Sequence, residues 1–207
     1  MTTPLNTLIY KAHRILNENR NAKYEITDET HPQKRRLRRI RALRDIRPHG
    51  VRAGDLGGWI ESEKNLSQEE DAWVGDNASV YEDAYVSGDA KVSGDALVYD
   101  DAQVFGKTRV SGNAKVFGKT RVSGNAKVYD DAKVSGKAQV SDNAQVFGKT
   151  LISDNARVSD NARVFGEAWV FNNARVSDNA EVSGGAWVYG DARVSGDTIV
   201  SGNEHVS

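Results

Sequence analysis

The chain has 207 residues, a net charge of −1, no cysteine and 38% hydrophobic residues. The lack of cysteine excludes disulfides and thiolate chemistry, and no apolar run has the length of a membrane span. Because the N-terminus has no charged-then-apolar signal segment, we expect a cytoplasmic protein with no membrane contact.

The first predicted element is an amphipathic helix in residues 1–20. Thr3 suits the helix cap, and Pro4 suits the first turn. One helical stripe collects the apolar residues Leu5, Leu8, Ile9, Ala12, Ile15 and Leu16. We therefore expect a helix over residues 4–18 that buries this stripe against the chain's own body or against another subunit.

Residues 21–58 form a predicted capping segment with a strong basic bias. Polar and apolar side chains alternate in residues 23–27, which predicts a short strand. Residues 34–52 contain nine basic side chains and one acidic one, Asp45. Leucine or isoleucine recurs there every three residues, at Leu37, Ile40, Leu43 and Ile46, which fits either a helix or an irregular strand. The segment is therefore predicted to be a small α+β cap.

The basic residues of this cap have two interpretations. They form a surface for nucleic acid or another polyanion, or they pair with the acidic corners of the β-helix while the apolar side is buried in the cap. The candidate polyanion contacts are Lys34, Arg35, Arg36, Arg38, Arg39 and Arg41. No aromatic pattern of an RNA-binding domain and no DNA-binding motif accompanies them.

A third predicted unit, a β-helix, extends over residues 59–207. Its first part is irregular, because Ile60 and Leu66 keep a six-residue spacing and a two-residue slip then precedes Val74. Trp59 is expected to act as a lid over the core, since the ends of a solenoid need caps.

From Val74 onward the sequence repeats every six residues. Valine, with one isoleucine at Ile152, occupies 23 consecutive repeat positions through Val206. A small residue, Ala or Thr, follows each of them up to Val194 by four positions, and Glu204 takes that place after Val200. A pair drawn mainly from Gly, Asp, Asn and Lys lies between them. Six matches neither the 3.6-residue helix nor the heptad, but it suits short strands separated by tight corners. Valine and the small residue are predicted to point inward.

Aromatic spacing sets the number of repeats in one coil. Rings recur at 18-residue intervals in four sets: Tyr81, Tyr99 and Phe117; Tyr129, Phe147 and Phe165; Phe171 and Tyr189; Trp169 and Trp187. Three repeats per coil would stack these rings on one another in successive coils. We therefore predict an all-β solenoid with triangular 18-residue coils.

The repeat unit resembles that of left-handed parallel β-helix proteins, the hexapeptide-repeat family that includes many acyltransferases and the γ-class carbonic anhydrases. The left hand and a preference for trimers are what this resemblance implies. The segment from Gly54 to Ile60, running into residues 65–67, is more loosely similar to small hexapeptide-repeat proteins encoded by phages and prophages.

Enzymes of this family rely on histidine, and here histidine is scarce. The four histidines are His13, His31, His49 and His205, all outside the regular repeats of residues 71–200. No insertion interrupts those repeats to make a pocket, and no zinc-ligand spacing is present. The sequence therefore predicts no catalysis, no cofactor and no metal. Asp and Asn at the corners are attributed to turn geometry and not to calcium binding.

One outward column carries a candidate contact surface. At 18-residue spacing it contains Leu97, Lys115, Lys133, Leu151, Trp169 and Trp187. Large apolar side chains exposed in a row are uncommon on monomers. Leu151, Trp169 and Trp187 are therefore predicted to contact a partner, most simply a second copy of the chain, in a trimer as the resemblance implies or in a dimer.

Three hypotheses follow for the function. The first is a non-catalytic structural or interaction protein, phage- or prophage-encoded, that oligomerises and binds a protein partner as an assembly component or a modulator of host machinery. The second is a nucleic-acid-binding protein that uses residues 34–52. The third is a relative of the acyltransferases or γ-class carbonic anhydrases.

Overall fold

The computed structural model describes residues 22–207. The predicted helix over residues 4–18 lies outside the described residues. The regular elements of the described chain are strands, apart from two short 3₁₀ turns at Arg47–His49 and Glu63–Asn65. No helix in this part of the chain has the length and apolarity needed to cross a bilayer.

The strands form three sheets, which the chain visits in the repeating order 1, 2, 3. Sheet 1 contains β1 (Tyr24–Thr30), β2 (Arg38–Ala42), β3 (Leu56–Ile60), β5 (Ser79–Val80), β8 (Leu97–Val98), β11 (Lys115–Val116), β14 (Lys133–Val134), β17 (Leu151–Ile152), β20 (Trp169–Val170), β23 (Trp187–Val188) and β26 (His205–Val206). Sheet 2 contains β6 (Tyr85–Val86), β9 (Gln103–Val104), β12 (Arg121–Val122), β15 (Gln139–Val140), β18 (Arg157–Val158), β21 (Arg175–Val176) and β24 (Arg193–Val194). Sheet 3 contains β4 (Trp73–Val74), β7 (Lys91–Val92), β10 (Arg109–Val110), β13 (Lys127–Val128), β16 (Gln145–Val146), β19 (Arg163–Val164), β22 (Glu181–Val182) and β25 (Ile199–Val200).

From β3 onward the molecule is a parallel β-solenoid of about eight coils. Strands in successive coils pair in register at 18-residue spacing, as Val110 does with Val128. The second residue of each two-residue strand points inward, and every one from Val74 to Val188 is fully buried. The first residue points outward, as the alternation of a strand requires. The predicted repeat and coil length are confirmed.

Each corner depends on one backbone conformation. The second residue after the inward valine has a positive φ, for example 67° at Gly112 and 57° at Asp154. Glycine adopts this left-handed conformation freely, and Asp and Asn tolerate it better than other residues. The turn therefore explains why Gly, Asp and Asn share this position in the repeat.

Corner carboxylates also join one coil to the next. Asp76 Oδ2 accepts a hydrogen bond from the Gly94 backbone N–H at 2.9 Å, and Asp178 accepts one from Gly196 at 2.9 Å. Neighbouring Asn side chains continue this pattern, with Asn143 Nδ2 donating to Asn161 Oδ1 at 3.1 Å. No group of three or more His, Cys, Asp or Glu suited to a metal exists within residues 22–207. The carboxylates at the corners therefore help to hold successive coils together.

Aromatic rings stack along the corners as the 18-residue spacing predicts. Tyr99 and Phe117 lie 4.9 Å apart between ring centroids, with planes 1° from parallel. Phe147 and Phe165 stack at 5.1 Å in a second column. These columns add contacts of about 0.5–1.5 kcal/mol each beyond the area they bury.

The first coil is irregular, as the slip in the repeat predicts. Ile60 pairs with Val80, and Leu66 forms a bridge with Val86. This coil therefore contains two residues more than the 18 of the regular coils. β3 is its first strand, so the predicted boundary between residues 58 and 59 falls inside a strand.

The cap is a β-hairpin that extends sheet 1. β1 and β2 pair antiparallel, and β2 pairs antiparallel with β3. The buried side chains of Tyr24, Ile40 and Ile46 join the core of the solenoid. Of the two structures proposed for residues 34–52, the irregular strand is the one observed. The helical part of the predicted α+β cap is absent from residues 22–58, where Arg47–His49 is the one helical turn.

Trp59 differs from its predicted role. It does not lie over the end of the core, since its strand position pairs with Ser79 on the outward side of sheet 1. The segment around His31 folds over the indole, with ring centroids 4.9 Å apart, and leaves it 5% exposed. The prediction failed because the repeat pattern gives no sign that residues 31–37 cover this face.

Candidate interaction surfaces

The three predicted contact residues lie in one row on sheet 1. Leu151 pairs with Trp169, which pairs with Trp187 in the following coil. The two indoles stack with centroids 5.0 Å apart and planes 2° from parallel. Trp169 is 40% exposed and Trp187 36%, while Leu151 is half-buried. The structure thus brings the three side chains together on an open face.

Three further rings enlarge this row into a broader surface. His205 stacks on Trp187 at 4.9 Å, and Phe171 meets the edge of Trp187 at 6.2 Å. Tyr189 stacks on Phe171 at 5.4 Å and meets His205 edge-on. We call Trp169, Trp187, His205, Phe171 and Tyr189 the aromatic face. The sequence interpretation missed His205, although it follows Trp187 by 18 residues.

The aromatic face is rigid for reasons of backbone geometry. Its rings project from strands that pair in register, so each ring rests on the next at the spacing between coils, about 4.8 Å. Ring stacking fixes side chains that would otherwise rotate freely. A surface that is ordered before binding loses less conformational entropy on contact. It therefore suits recognition of another macromolecule.

The same column becomes cationic in the preceding coils. Lys133 pairs with Leu151, and Lys115 pairs with Lys133. Within residues 22–207 neither lysine has an ion-pair partner, whereas nearby Lys149 lies 3.6 Å from Glu167. A groove of about 540 Å³ runs along this part of the face. It is lined by Asn113, Lys115, Asp131, Lys133, Lys149, Thr150, Leu151 and Trp169.

The predicted polyanion contacts on β2 are engaged in packing. The Arg39 guanidinium lies 4.8 Å from the Trp59 ring centroid, and Arg41 pairs with Glu25 at 3.2 Å. Arg38 donates to the Asp28 carbonyl at 3.2 Å. These three arginines make contacts within the cap and with Trp59, and in the described structure none of these contacts is with an acidic corner of the β-helix.

The turn before β2 holds the other three basic residues. The Lys34 ammonium lies 4.4 Å from the Tyr81 ring centroid and has no hydrogen-bond partner in the described structure. Burial, followed by the charge of Lys115, lowers its pKa. Arg35 and Arg36 are exposed, and Arg36 is 3.9 Å from Glu61. All three border a groove of about 550 Å³ that also includes Tyr81.

The described histidines lie in three separate places. His31 Nδ1 accepts hydrogen bonds from the backbone N–H groups of Gln33 and Lys34, both at 3.1 Å. Burial lowers the pKa of His31 and also that of His49, which is half-buried in the cap. His205 belongs to the aromatic face. His13 lies outside the described residues.

The C-terminal coils of the solenoid are similar to a known repeat family. The family described as the YdcK beta solenoid repeat matches residues 156–172, 174–189 and 186–202. This part of the chain, which carries Trp169 and Trp187, is thus similar to a known β-solenoid repeat. No curated protein matches the chain.

Proposed function

We propose that this protein is a non-catalytic β-solenoid that binds macromolecules and associates with itself through Leu151 and the aromatic face. The observation that carries this proposal is the exposed, stacked pair Trp169 and Trp187. We include in it a left-handed, triangular coil, a cytoplasmic location and a phage or prophage origin, as an assembly component or a modulator of host machinery. The resemblance of the repeat supports the left hand, and the 18-residue spacing of the aromatic residues supports the triangular coil. The looser similarity of residues 54–60 supports the phage or prophage origin and, with it, a host cytoplasm.

Physical chemistry favours contact as the role of this face. Tryptophan is enriched among the residues that dominate binding energies, and contiguous exposed apolar surface marks interaction sites. The rings are held by the strands beneath them, so their exposure is a stable property of the fold. A second copy of the chain is the simplest partner, and a different protein partner can use the same face.

Self-association tests this proposal. We expect the double variant Trp169→Ser/Trp187→Ser to raise the dissociation constant for self-association at least about tenfold, because each buried indole contributes a kilocalorie or more, and about 1.4 kcal/mol is a factor of ten. Sedimentation velocity over a range of protein concentrations measures it. Tyr85→Ser removes an aromatic residue of similar exposure on sheet 2 and is the matched control. A wild-type chain that stays monomeric would refute the proposal.

A polyanion surface at the basic turn is the alternative. Its support is the groove beside exposed Arg35 and Arg36 and the unpartnered Lys34 ammonium. Retention of DNA or RNA that falls with salt, and that is lost in Arg35→Glu/Arg36→Glu, would favour this function. The third hypothesis is an activity like that of the acyltransferases or the γ-class carbonic anhydrases. Within residues 22–207 no group of three or more His, Cys, Asp or Glu side chains supports it.

A further inference from the structure

Charge divides the solenoid into bands along its axis. The two coils of residues 67–102 contain ten acidic residues and one basic residue, Lys91. The next two coils, residues 103–138, contain eight basic residues and two acidic ones, Asp130 and Asp131. Because successive coils stack in register, this composition makes a positive band about 10 Å high beside a negative one. We call residues 103–138 the basic belt.

The cations of the basic belt are open to a ligand. They are Lys107, Arg109, Lys115, Lys119, Arg121, Lys127, Lys133 and Lys137, and all except the half-buried Lys115 are exposed. Within residues 22–207 none of the eight forms an ion pair, whereas Arg163 in a later coil pairs with Glu181 at 2.7 Å. A positive surface that is not neutralised by its own acids attracts polyanions.

One aromatic ring of the basic belt has an uncovered face. Phe117 is the last ring of its column and stacks on Tyr99 with centroids 4.9 Å apart. Eighteen residues later the same position holds Ser135, which has no ring to continue the column. In the described structure no aromatic ring and no cation lies over the face of Phe117 on the side of Ser135. A planar ligand can therefore extend the column by one layer.

Four lysines surround this open face. Lys115 precedes the phenylalanine by two residues, and Lys119 follows it by two. In the next coil Lys133 and Lys137 hold the same two places around Ser135, in register with the first pair. On each strand the first lysine and the phenylalanine or serine flank a buried valine, so both point outward. The open ring face thus lies among four side chains that carry ammonium groups.

We propose that this site binds single-stranded nucleic acid, with one base stacked on the open face of Phe117 and with phosphates held by the four lysines. A base has a flat π surface, and each link of the backbone carries a negative charge, so the ligand supplies both groups that the site complements. Stacking on a side chain needs a base that is not covered by its neighbours, which favours a single strand over a duplex. This function is additional to the one proposed above, which uses Leu151 and the aromatic face.

The surroundings of the site favour a strand that crosses the coils. The acidic coils of residues 67–102 repel a polyanion that runs along the solenoid axis in that direction. Lys115 and Lys133 also line the groove of about 540 Å³, which gives the backbone a path across sheet 1. The acid in this groove, Asp131, accepts a hydrogen bond from Asn113 at 2.9 Å. On the other side of the corner the basic belt continues to Arg121.

Fluorescence anisotropy of a labelled oligothymidylate tests the stacking contact. Phe117→Ser is expected to raise the dissociation constant at least about fivefold, because it removes the stacking of one base. Serine already occupies this position in the next coil, so the fold accepts it. Phe147→Ser is the matched control, since Tyr129 and Phe165 cover both faces of Phe147 and leave no place for a base. Its dissociation constant is expected to stay within about twofold of the wild type.

The dependence on salt tests the phosphate contacts. With four contacts, the logarithm of the wild-type affinity is expected to fall with the logarithm of salt concentration at a slope of about −3. Lys119→Asn/Lys137→Asn removes two contacts and is expected to reduce the slope to about −1.5. Asparagine occupies the same corner position in later coils. Arg157→Gln/Arg175→Gln removes two exposed cations from sheet 2 outside the basic belt and is expected to keep the wild-type slope.

Several results would overturn the inference. They are a wild type that does not bind the oligothymidylate, and equal effects of Phe117→Ser and Phe147→Ser. Competition by polyglutamate or by a duplex that matches competition by the unlabelled single strand would show that charge alone is recognised. Binding that is lost in Arg35→Glu/Arg36→Glu and unchanged in Phe117→Ser would place the strand at the basic turn. Self-association is measured without nucleic acid, so either proposal can fail while the other holds.

Discussion

At the residue scale, the fold depends on how each inward position is filled. Most corners place alanine four residues after valine, but Thr108, Thr120 and Thr150 occupy this position fully buried. Their hydroxyl groups have no hydrogen-bond partner in the described structure. Each follows a Phe-Gly-Lys sequence. Burying a hydroxyl group without a hydrogen-bond partner costs free energy. Each of these three threonines therefore lowers the free energy of unfolding relative to an apolar side chain of the same shape.

We predict that Thr120→Val stabilises the protein. The substitution keeps the shape of the side chain and removes the unsatisfied hydroxyl, for a gain of about 1 kcal/mol in the free energy of unfolding. Chemical denaturation measures it. Thr198→Val is the matched control, because the Thr198 hydroxyl donates to the Ser195 carbonyl at 2.7 Å and is exposed. An equal gain in both variants would show that burial of the hydroxyl is not the cause.

At the element scale, pairing in register places equivalent repeat positions of successive coils side by side. The side-chain pairs that result are favourable or unfavourable according to their charges. On sheet 3, Arg163 of β19 lies 2.7 Å from Glu181 of β22. On sheet 2, Arg175 of β21 is instead in register with Arg157 and Arg193 on its two neighbours. Opposite charges stabilise such cross-strand pairs, and like charges destabilise them.

The variant Arg175→Glu is expected to be more stable than the wild type. It converts two neighbouring like-charge pairs into two opposite-charge pairs of the kind seen between Arg163 and Glu181. These sites are exposed, so the gain is limited to about 0.5–1 kcal/mol in the free energy of unfolding. Thermal unfolding at low and high salt measures it. The gain should shrink in 1 M NaCl because salt screens surface charges, and a gain that persists would point to a cause other than charge.

The elements also differ in how far the sequence alone predicts them. Strands from β4 onward, the 18-residue register and the row from Leu151 to Trp187 follow from periodicity, because each repeat pairs with its own copy. The cap does not follow in this way. Leu37, Ile40, Leu43 and Ile46 suit a helix or a strand equally, and the antiparallel pairing of β2 with β3 depends on contacts that no repeat encodes. The cover over Trp59 was missed for the same reason.

At the scale of the whole molecule, stability and surface pattern are separate properties. Every repeat supplies the same inward valine, so the core scarcely distinguishes one side of a coil from another. The outward columns of side chains differ from one sheet to the next. The number of repeats that precede a residue decides on which sheet its column lies. In a linear solenoid each coil contacts its neighbours alone, so removing one whole coil joins two compatible surfaces.

Deletions separate these two properties. Removing residues 135–152 takes out one coil, and Trp169 remains on sheet 1 above Lys133. Removing residues 135–140 takes out one side of a coil, so every later strand moves to the preceding sheet in the chain's order, and Trp169 and Trp187 move to sheet 3. We expect both variants to fold with β-solenoid circular dichroism, since valine follows valine at six residues across each junction.

Both deletions are expected to keep self-association through the aromatic face. In the shorter deletion Leu151, Trp169 and Trp187 stay in one column, which moves to sheet 3 and there follows Arg109 and Lys127. The longer deletion keeps both tryptophans in the column of sheet 1 that carries Lys115 and Lys133. Sedimentation velocity measures the association of both variants. A shorter deletion that folds but stays monomeric would show that the contact also needs the cap, which extends sheet 1 alone. If the shorter deletion failed to fold while the longer one folded, the three sides of the coil would not be interchangeable.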